Sequence, residues 1–409
     1  MIDSHDSRPD SSEAPSPGAS FDVVIIGGGV IGSSIAYFLA QESSFDGSVA
    51  VIEKDSSYVD SSTARSVGGI RQQFSIAENI AMSQFGARFF RSAAELLAVG
   101  DERPDLSFRE AGYLFLATAA GRSILEQNHA LQRAHGAAVA LLSVAALAER
   151  FPWLNTEDLA GAALGTADEG WLDPYSLLMA FKRKAEHLGV RYLAEEVVAI
   201  ELRDRAVAAV RLGDGRRVSC GHLVNAAGPR AAAVAEMAGI EDCPVRSKKR
   251  LVFTFDCAES LRNCPLVVDP SGVYFRPEGD RFLCGVSPPE SSDPDCTDFK
   301  IDPHFFEDVL WPRLAHRVPA FDRLRQGTAW AGHYAVNTVD RNAIVGPHPE
   351  VEGFWFANGF SGHGLQHAPA IGRAVSELIT FQEPRTLDLS RFDFARFAEG
   401  RPVTERNVI

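Results

Sequence analysis

A glycine-rich segment near the start of the chain constrains the fold more than any other feature. The sequence of residues 21–40 begins with a continuous apolar run, Val23–Ile26, which is typical of a strand buried on both faces. Gly27, Gly29 and Gly32 follow at the spacing G-x-G-x-x-G. In a strand–turn–helix unit these glycines allow a tight turn, the approach of a pyrophosphate and close helix packing. The segment therefore predicts a dinucleotide-binding βαβ unit.

The residues after the third glycine support this prediction. The helix that follows offers free N–H groups at its start, where Val30 and Ile31 lie, and such a terminus favours an anion. A second apolar run, Val49–Ile52, ends at Glu53, 21 residues beyond the last glycine. A carboxylate at this distance can accept hydrogen bonds from ribose hydroxyls, and Lys54 is expected to border the same site. The spacing leaves the choice between FAD and NAD open.

The length of the chain predicts the rest of the architecture. A single core rarely grows beyond ~250–300 residues, so 409 residues indicate two domains or one domain with a large insertion. Helical and β-rich stretches alternate in a way that favours an α/β fold, with a Rossmann-type domain interrupted by an antiparallel, β-rich substrate domain. The predicted Rossmann-type domain comprises residues 21–100, 170–243 and 335–385, the substrate domain comprises 101–169 and 244–334, and residues 386–409 form a C-terminal extension.

Charge and composition limit the partners. With 54 acidic against 40 basic side chains the net charge is −14, which disfavours nucleic acid and an anionic membrane surface. No stretch suits a membrane span. The six cysteines include no CxxC pair, which argues against a disulfide framework or a zinc site and favours a reducing, cytoplasmic location. Residues 1–20 are rich in Ser, Pro and Asp, lack a targeting pattern, and predict a disordered tail.

Two later segments repeat features of a cofactor site. Small residues follow a short strand at Ala226–Arg230, where the chain could turn tightly beside a cofactor or simply form an ordinary turn. Near the end, an apolar strand at 354–358 leads into a loop with three glycines and then a helix predicted over Pro369–Ile379. A second helix start of this kind favours negative charge and would suit the N1–C2=O edge of a reduced flavin.

Taken together, these motifs resemble the D-amino acid oxidase (DAO) superfamily of FAD-dependent oxidoreductases, which includes sarcosine oxidase and dimethylglycine dehydrogenase. The motifs are GGGVIG with Glu53, an S-x-G-G-like stretch at 66–71, NAAGP at 225–229 and GFSGHG at 359–364. The stretches GGIRQQFS (68–75), WAGHYAVNT (330–338), GFSGHGLQHAP (359–369) and DLSRFDFARF (388–397) are more specifically similar to a mitochondrial branch that assists assembly of respiratory complex I. The resemblance implies FAD in a DAO-like (GR2-type) domain, with the flavin facing the β-rich domain.

The resemblance also implies cofactor contacts at further positions. They are Ser62, Thr63, Arg65 and Ser66 along the phosphates and flavin, with Gly68 and Gly69 beside them, Val197 at the adenine, Ala227 and Gly228 in the NAAGP turn, Gly346 near the ribityl chain, and Gly362, His363, Gly364, Leu365 and Gln366 at the pyrimidine edge.

The sequence departs from the family pattern in three respects. Arg65 stands where the dimethylglycine dehydrogenase type has a flavin-linking His, and Gly332 and His333 precede Tyr334 where sarcosine oxidase has a flavin-linking Cys. The FAD is therefore expected to bind without a covalent link. Leu283 stands where the oxidases have a Lys that promotes reaction with oxygen. This favours a dehydrogenase over an efficient oxidase.

Four residues are candidates for catalysis. Arg71 could grip a substrate carboxylate bidentately or contact the flavin instead. Tyr274 and Arg276 share one face of a predicted strand, which is either a substrate wall or an ordinary sheet face. His363 lies four residues before His367, but without the Glu of an HExxH motif no metal is expected, and His363 is interpreted as a flavin neighbour. Gln366 stands where sarcosine oxidase has a carboxylate-binding Lys.

The resemblance implies oxidation of the C–N bond of a secondary amine, an N-methyl amino acid or a D-amino acid by hydride transfer to flavin N5. A small-molecule substrate and an electron acceptor, either a quinone or an electron-transfer flavoprotein, are the expected partners. Two alternatives remain open: a respiratory-complex assembly factor in which FAD is structural, and a 2-hydroxy acid dehydrogenase.

Overall fold

A computed structural model of the protein describes residues 19–406. Most of the tail predicted for residues 1–20 lies outside the described residues. Only Ala19 and Ser20 fall within them, and Ser20 already belongs to the first strand. The Ala19 carbonyl accepts a hydrogen bond of 3.0 Å from the Ser219 N–H, so these two residues join the sheet.

Strands and helices of the described residues fall into two large sheets and the layers that cover them. The strands are β1 (Ser20–Ile26), β2 (Val49–Glu53), β3 (Gly69–Ile70), β4 (Tyr113–Ala117), β5 (Val139–Leu142), β6 (Gly161–Gly165), β7 (Gly170–Trp171), β8 (Arg191–Ala194), β9 (Val197–Arg203), β10 (Ala206–Leu212), β11 (Arg217–Asn225), β12 (Val245–Asp256), β13 (Leu266–Val268), β14 (Tyr274–Glu278), β15 (Arg281–Gly285), β16 (Arg325–Asn337), β17 (Ile344–Pro347) and β18 (Phe354–Asn358).

The α-helices are α1 (Val30–Gln41), α2 (Ala77–Arg91), α3 (Ala93–Leu96), α4 (Arg122–Ala134), α5 (Val144–Arg150), α6 (Pro174–His187), α7 (Ala231–Met237), α8 (Trp311–Arg317) and α9 (Gly364–Phe381). Short 3-10 turns cover Gly228–Arg230, Glu290–Ser292, Pro319–Arg323 and Ser390–Phe392, and a π-helical turn covers Phe306–Leu310. Among residues 19–406, none of these helices combines the length and apolar character that a membrane crossing requires.

The first sheet has the strand order β17-β18-β11-β1-β2-β8, and β10 and β9 continue from β11. The pairs of β1 with β2 and β11, of β2 with β8 and of β11 with β18 are parallel. Val23, Val24 and Ile25 are fully buried, as expected for a central strand covered on both faces. The carboxyl ends of β1, β2, β11 and β18 therefore meet at one edge, where open α/β sheets bind ligands.

The second sheet has the order β16-β12-β15-β14-β13-β4-β6-β5 and is antiparallel except for the pair of β13 with β4. A first sheet with the parallel Rossmann-type centre β18-β11-β1-β2-β8, flanked by antiparallel strands, and a separate β-rich sheet confirm the predicted fold class. Most strands of each sheet fall within the segments predicted for each domain, although β16 continues to Asn337, past the predicted boundary at 334. The domain boundaries stay a prediction.

Local sequence signals locate some helices well and others poorly. The Asp173 carboxylate accepts hydrogen bonds from the N–H groups of Tyr175 and Ser176 and caps α6, with Pro174 in its first turn. The start predicted for the last helix at Pro369 is wrong, since α9 begins five residues earlier, at Gly364. Proline's preference for a first turn suggested that boundary, but tertiary packing outweighs it.

Close packing of α1 on α9 fixes the two helices relative to each other. The Ser34 hydroxyl donates a hydrogen bond of 2.8 Å to the Ala368 carbonyl. A Cβ atom at Gly372 would lie 2.2 Å from the Ser34 hydroxyl oxygen, so the helices can approach this closely only without a side chain there. The start of α1 is thereby held in a fixed relation to the start of α9.

The C-terminal extension returns to the start of α2. The Arg396 guanidinium and the Asp340 carboxylate form a fully buried ion pair at 2.8 Å. Farther along, the Glu405 carboxylate accepts hydrogen bonds from the Ser75 N–H at 2.7 Å and from Asn79 Nδ2 at 2.9 Å. Ser75 and Glu78 show the spacing of a capping box, but Ile76 occupies the N-cap position without a side-chain cap, and Glu405 binds Ser75 instead.

Replacing Glu405 by glutamine should lower the free energy of unfolding by about 2 kcal/mol, because one amide NH₂ would then face N–H donors that now bind a carboxylate. Chemical denaturation followed by circular dichroism measures this change. Glu399→Gln is the matched control: Glu399 lies in the same extension, its side chain is half exposed, and its substitution should leave stability within about 0.5 kcal/mol. Equal losses in both variants would contradict a specific role for the Glu405 contacts.

Candidate active site

The glycine motif forms the turn between β1 and α1. Gly27 has a φ of +100°, and a Cβ atom there would lie 2.5 Å from the Ala226 carbonyl oxygen. A Cβ atom at Gly32 would lie 1.9 Å from the Gly27 carbonyl oxygen. At Gly29 a Cβ atom would meet only the Thr63 hydroxyl oxygen, at 3.4 Å. The first and third glycines are thus needed for the turn itself, whereas the second leaves space open before the helix.

Polar groups of the first helix turn and of β2 surround this open space. The Val30 N–H donates to the Thr63 hydroxyl at 3.1 Å, and Gly29 at the N-cap has no side chain that could cap the helix. Glu53 lies at the end of β2, and its carboxylate accepts the Gly28 N–H at 2.8 Å. Val30 and Ile31 are buried, whereas Lys54 is exposed beyond the acid.

Four more of the predicted cofactor positions lie at or near the same edge of the sheet. Ala227 and Gly228 follow β11, and the Ala227 N–H donates to Asn225 Oδ1 at 3.3 Å. Gly346 lies in β17 with a φ of +115°, and a Cβ atom there would have no atom within 4 Å. Val197 begins β9 and belongs to the apolar cluster that contains Ile52, the residue before Glu53.

The stretch 62–69 leads to β3, which pairs with β7 in a separate two-stranded sheet. Ser62 donates to the His333 carbonyl at 2.6 Å, and the Ser66 hydroxyl accepts the Gly68 N–H at 3.2 Å. The Gly68 carbonyl accepts the Leu172 N–H at 3.0 Å, and Gly69 follows in β3. Strand β16 of the second sheet and the residue after β7 therefore hold this stretch in place.

Arg65 is bound by protein groups on several sides. Its guanidinium donates to the Val59 and Ala331 carbonyls at 2.9 Å each and pairs with Asp60 at 2.6 Å. It also lies 4.2 Å from the centre of the Phe299 ring. These contacts give Arg65 the role of a clamp between the stretch 62–69 and β16.

The start of α9 borders a cavity that is also lined by strands of the second sheet. His363 occupies the N-cap position without a side-chain cap, and Gly364 and Leu365 begin the helix. This cavity is called the main cavity below. Its lining comprises Ser66, Val67, Gly69, Arg71, Tyr113, Leu266, Tyr274, Ser287, Tyr334, Ser361, Gly362, His363, Leu365 and Gln366.

Arg71 lies in the wall of the main cavity and is 3% exposed. Its guanidinium donates to the Gln73 carbonyl at 2.5 Å and contacts His363 Nε2 at 3.0 Å, and it lies 4.1 Å from the centre of the Phe74 ring. The Arg71 N–H donates to Gln366 Oε1 at 2.7 Å. Within residues 19–406, no carboxylate forms an ion pair with this guanidinium. A buried cation without such a partner suits an anionic ligand.

The structure gives different surroundings to Tyr274 and Arg276, the two candidate catalytic residues on β14. Tyr274 lines the main cavity, but Arg276 does not. Its guanidinium donates to the Val67 carbonyl at 2.7 Å and 3.1 Å and pairs with Glu278. Alternation places both side chains on one face as predicted, yet the long Arg276 side chain reaches beyond the cavity and holds the stretch 62–69.

His363 and His367 are both uncharged. A guanidinium can only donate, so His363 Nε2 accepts the hydrogen bond from Arg71 and the ring carries its proton on Nδ1. Burial, with Arg71 nearby, lowers the pKa of His363 well below its usual value and that of His367 to about 3. His367 contacts the Ser83 hydroxyl at 3.1 Å. Within residues 19–406, no group of three or more His, Cys, Asp or Glu side chains could hold a metal ion.

Sequence reasoning missed two residues around this cavity, Tyr113 and Glu169. Tyr113 lines it together with Tyr334, which the sequence left open as a neighbour of the flavin face or a residue that fills the sheet. Glu169 lies fully buried behind the Arg71 backbone, where it accepts the Gln72 N–H at 2.6 Å. Burial raises the pKa of all three, to about 7 for Glu169. No local pattern identifies them, because each acquires its environment from strands far away in the chain.

The residues at the sheet edge fit a dinucleotide. A glycine turn with open space, a carboxylate at the end of β2 and a helix start whose N-cap residue has no side chain are what a pyrophosphate and its ribose require. The start of α9, whose N-cap residue His363 makes no side-chain cap, adds a site for negative charge at the main cavity. Together with the two-sheet fold, this arrangement defines a dinucleotide-dependent oxidoreductase.

Comparison with known proteins identifies the family. The family model of DAO-type FAD-dependent oxidoreductases matches residues 22–378, and the chain belongs to this family, so FAD is its cofactor. The chain is 44% identical to FAD-dependent oxidoreductase domain-containing protein 1 of Xenopus laevis, over 99% of this chain and 89% of that protein. It is 27% identical to human mitochondrial dimethylglycine dehydrogenase, over 92% of this chain and 44% of that protein.

A solved structure shares the architecture. L-proline dehydrogenase from P. horikoshii superimposes with a TM-score of 0.83 and 28% sequence identity, over 95% of this chain and 100% of that one. The resemblance drawn from the sequence motifs, including the more distant similarity to dimethylglycine dehydrogenase, is confirmed.

Proposed function

We propose that the protein oxidises the C–N bond of a secondary amine or an amino acid, and that Arg71 binds the substrate carboxylate. The observation that carries this proposal is the buried Arg71 guanidinium in the wall of the main cavity. Its contacts with Gln73 and His363 account for two of its five N–H donors. The remaining donors and the unbalanced charge suit a carboxylate, which a guanidinium binds bidentately.

Three parts of the site would hold the FAD. The glycine turn and the start of α1 would hold the pyrophosphate, Glu53 the ribose, and the start of α9 the pyrimidine edge of the flavin. When bound, FAD supplies the hydride acceptor. The protein's own contribution is to orient the substrate and to set its charge.

The walls of the main cavity favour a neutral amine. Burial raises the pKa of Tyr113, Tyr274 and Tyr334, so their hydroxyls stay protonated and uncharged. His363 is neutral too, which leaves Arg71 as the charged side chain among the lining residues. A low-polarity wall and a nearby cation both disfavour an ammonium group. The substrate nitrogen would therefore lose its extra proton on binding and keep the lone pair that assists hydride loss.

Leu283 supports a dehydrogenase rather than an efficient oxidase. It lies in β15, is 2% exposed, and brings no charge to the position where related oxidases have a lysine. The similar solved structure is named a dehydrogenase of L-proline, an amino acid with a secondary amine. Electrons would then pass to a quinone or an electron-transfer flavoprotein.

Anaerobic mixing of the flavin-loaded protein with a panel of N-methyl, D- and secondary amino acids tests the proposal through the flavin absorbance. Bleaching by at least one amine is expected, followed by slower reoxidation in air than with a quinone. Bleaching by 2-hydroxy acids alone would overturn the amine assignment. No bleaching by any compound would contradict catalysis and favour a structural FAD, as in an assembly factor.

We expect the FAD to be released without a covalent link when the protein is precipitated with acid. Arg65 is engaged by protein groups, and Gly332 has no side chain that could attach to a flavin. Absorbance of the supernatant and pellet measures the outcome. Yellow colour in the pellet after washing would show a covalent bond at a residue other than these two.

The cysteines support a reducing compartment such as the cytoplasm. All six are unpaired, and burial raises the pKa of Cys220, Cys243, Cys264 and Cys284, which keeps these thiols protonated and unreactive.

A further inference from the structure

A buried acid holds the loop that carries Arg71. Glu169 lies before β7 and is 1% exposed. Its Oε1 accepts the Gln72 N–H at 2.6 Å and its Oε2 accepts Gln73 Nε2 at 2.8 Å. Both oxygens therefore bind the two residues that directly follow the proposed substrate clamp. Residues 71–75 are called the Arg71 loop below.

The fold reserves a fixed place for this carboxylate. A Cβ atom at Gly165 would lie 1.8 Å from Glu169 Oε2, so the carboxylate rests where any larger residue in β6 would have its side chain. The Glu169 carbonyl accepts the Gly112 N–H at 3.0 Å, and Gln73 Nε2 also donates to the Tyr113 carbonyl at 2.8 Å. Glu169 is thus bound to the second sheet, and its hydrogen bonds fix the Arg71 loop to that sheet.

Three titratable groups face Glu169 from neighbouring elements. Arg71 favours its ionised form, Asp168 in the same turn opposes it, and Tyr113 of β4 is uncharged. Asp168 is itself paired with Arg91. Glu169 therefore interacts with Arg71 electrostatically, although it forms no ion pair with the guanidinium.

We propose that Glu169 is a positioning residue, which holds the Arg71 loop so that the guanidinium faces the main cavity and can bind a carboxylate. The proposal rests on the function proposed above, because it concerns the same clamp. It adds that carboxylate binding depends on the ionised state of an acid that the ligand does not touch.

Protonation would weaken this hold. Two N–H donors now point at the two oxygens, and a protonated carboxyl would place an O–H group against one of them. Burial raises the pKa of Glu169 to about 7, opposed by the hydrogen bonds from Gln73 and Gln72 and by Arg71. Carboxylate affinity should therefore fall as the pH decreases through about 7, because the ionised form is the one that accepts both hydrogen bonds.

Benzoate and its uncharged analogue benzamide are suitable probes, since the cavity has aromatic walls and one cation. Dissociation constants for the flavin-loaded protein are measured by absorbance titration between pH 6 and pH 9. The Glu169→Gln variant should bind benzoate at least tenfold more weakly than wild type at pH 8. Its benzoate affinity should also no longer change as the pH passes through about 7, and its benzamide affinity should change little.

Glu377→Gln is the matched control. Glu377 is also fully buried and accepts the N–H groups of Arg385 and Thr386 at 2.8 Å each, but it lies toward the other end of α9. This variant should keep the wild-type benzoate affinity and pH step even if it is less stable. If Glu169→Gln does not fold, Gln73→Met removes one of the two hydrogen bonds at similar volume and should weaken benzoate binding to a smaller extent.

The outcomes separate this proposal from the proposed function. Wild-type protein that binds benzoate no better than benzamide would overturn the Arg71 clamp. Benzoate selectivity that is unchanged in Glu169→Gln and Gln73→Met, or tighter in Glu169→Gln, would overturn the positioning role alone. Because the readout is binding, the role of Glu169 is tested even if no amine is oxidised.

Discussion

Replacing Arg71 by glutamine should weaken the binding of a carboxylate ligand by about 100-fold to 1000-fold. Truncating one partner of a buried, hydrogen-bonded charge pair costs about 2–5 kcal/mol, because the other charge is left buried without compensation. Arg71 is nearly fully buried, so water cannot replace its contacts with the ligand. Absorbance titration of the flavin-loaded variant with benzoate measures the loss directly.

The chemical source of this loss can be resolved with a second variant and a second ligand. Arg71→Lys keeps the charge but not the fork of donors, and it should recover part of the affinity. Benzamide carries no charge, so its affinity should change by less than about fivefold in either variant. Equal losses for benzoate and benzamide would mean that Arg71 shapes the cavity and contributes no charge recognition.

Sequence reasoning located the elements whose signals are local. The glycine turn and Glu53 each depend on residues within about one supersecondary unit, and each lies where the pattern predicted. The start predicted for the last helix was wrong by five residues, since α9 begins at Gly364. The packing of α9 against α1 through Ala368 and Gly372 has no local sequence signal.

Contacts between segments that are distant in the chain could not be predicted from the sequence. Glu169 is 97 residues from Gln72, and Glu405 is 326 residues from Asn79, yet both acids bind the region that carries Arg71. Alternation put Tyr274 and Arg276 on one face, but it could not tell which side chain ends in the cavity and which reaches a backbone carbonyl. The residues that the sequence did not predict are thus those that connect the Arg71 loop to the rest of the fold.

Gly32→Ala should prevent the protein from retaining FAD and should lower its free energy of unfolding by at least about 4 kcal/mol. A Cβ atom there would lie 1.9 Å from the Gly27 carbonyl oxygen, a backbone atom that cannot move without opening the turn. Such a clash pushes α1 away from β1, and α1 in turn holds α9 through Ser34. Chemical denaturation and the ratio of flavin to protein absorbance measure the two effects.

Gly29→Ala separates the cofactor's requirement from that of the fold. Its Cβ atom would have only the Thr63 hydroxyl oxygen nearby, at 3.4 Å. The free energy of unfolding of the cofactor-free variant should therefore lie within about 1 kcal/mol of the wild-type value. The new methyl group would nevertheless occupy the space before α1, and FAD affinity should fall at least a hundredfold in an equilibrium titration of the deflavinated protein. If Gly29→Ala retained FAD as well as wild type does, the pyrophosphate would have to bind elsewhere than at the start of α1. If it instead destabilised the protein as strongly as Gly32→Ala, the space before the helix would serve the fold and not the ligand.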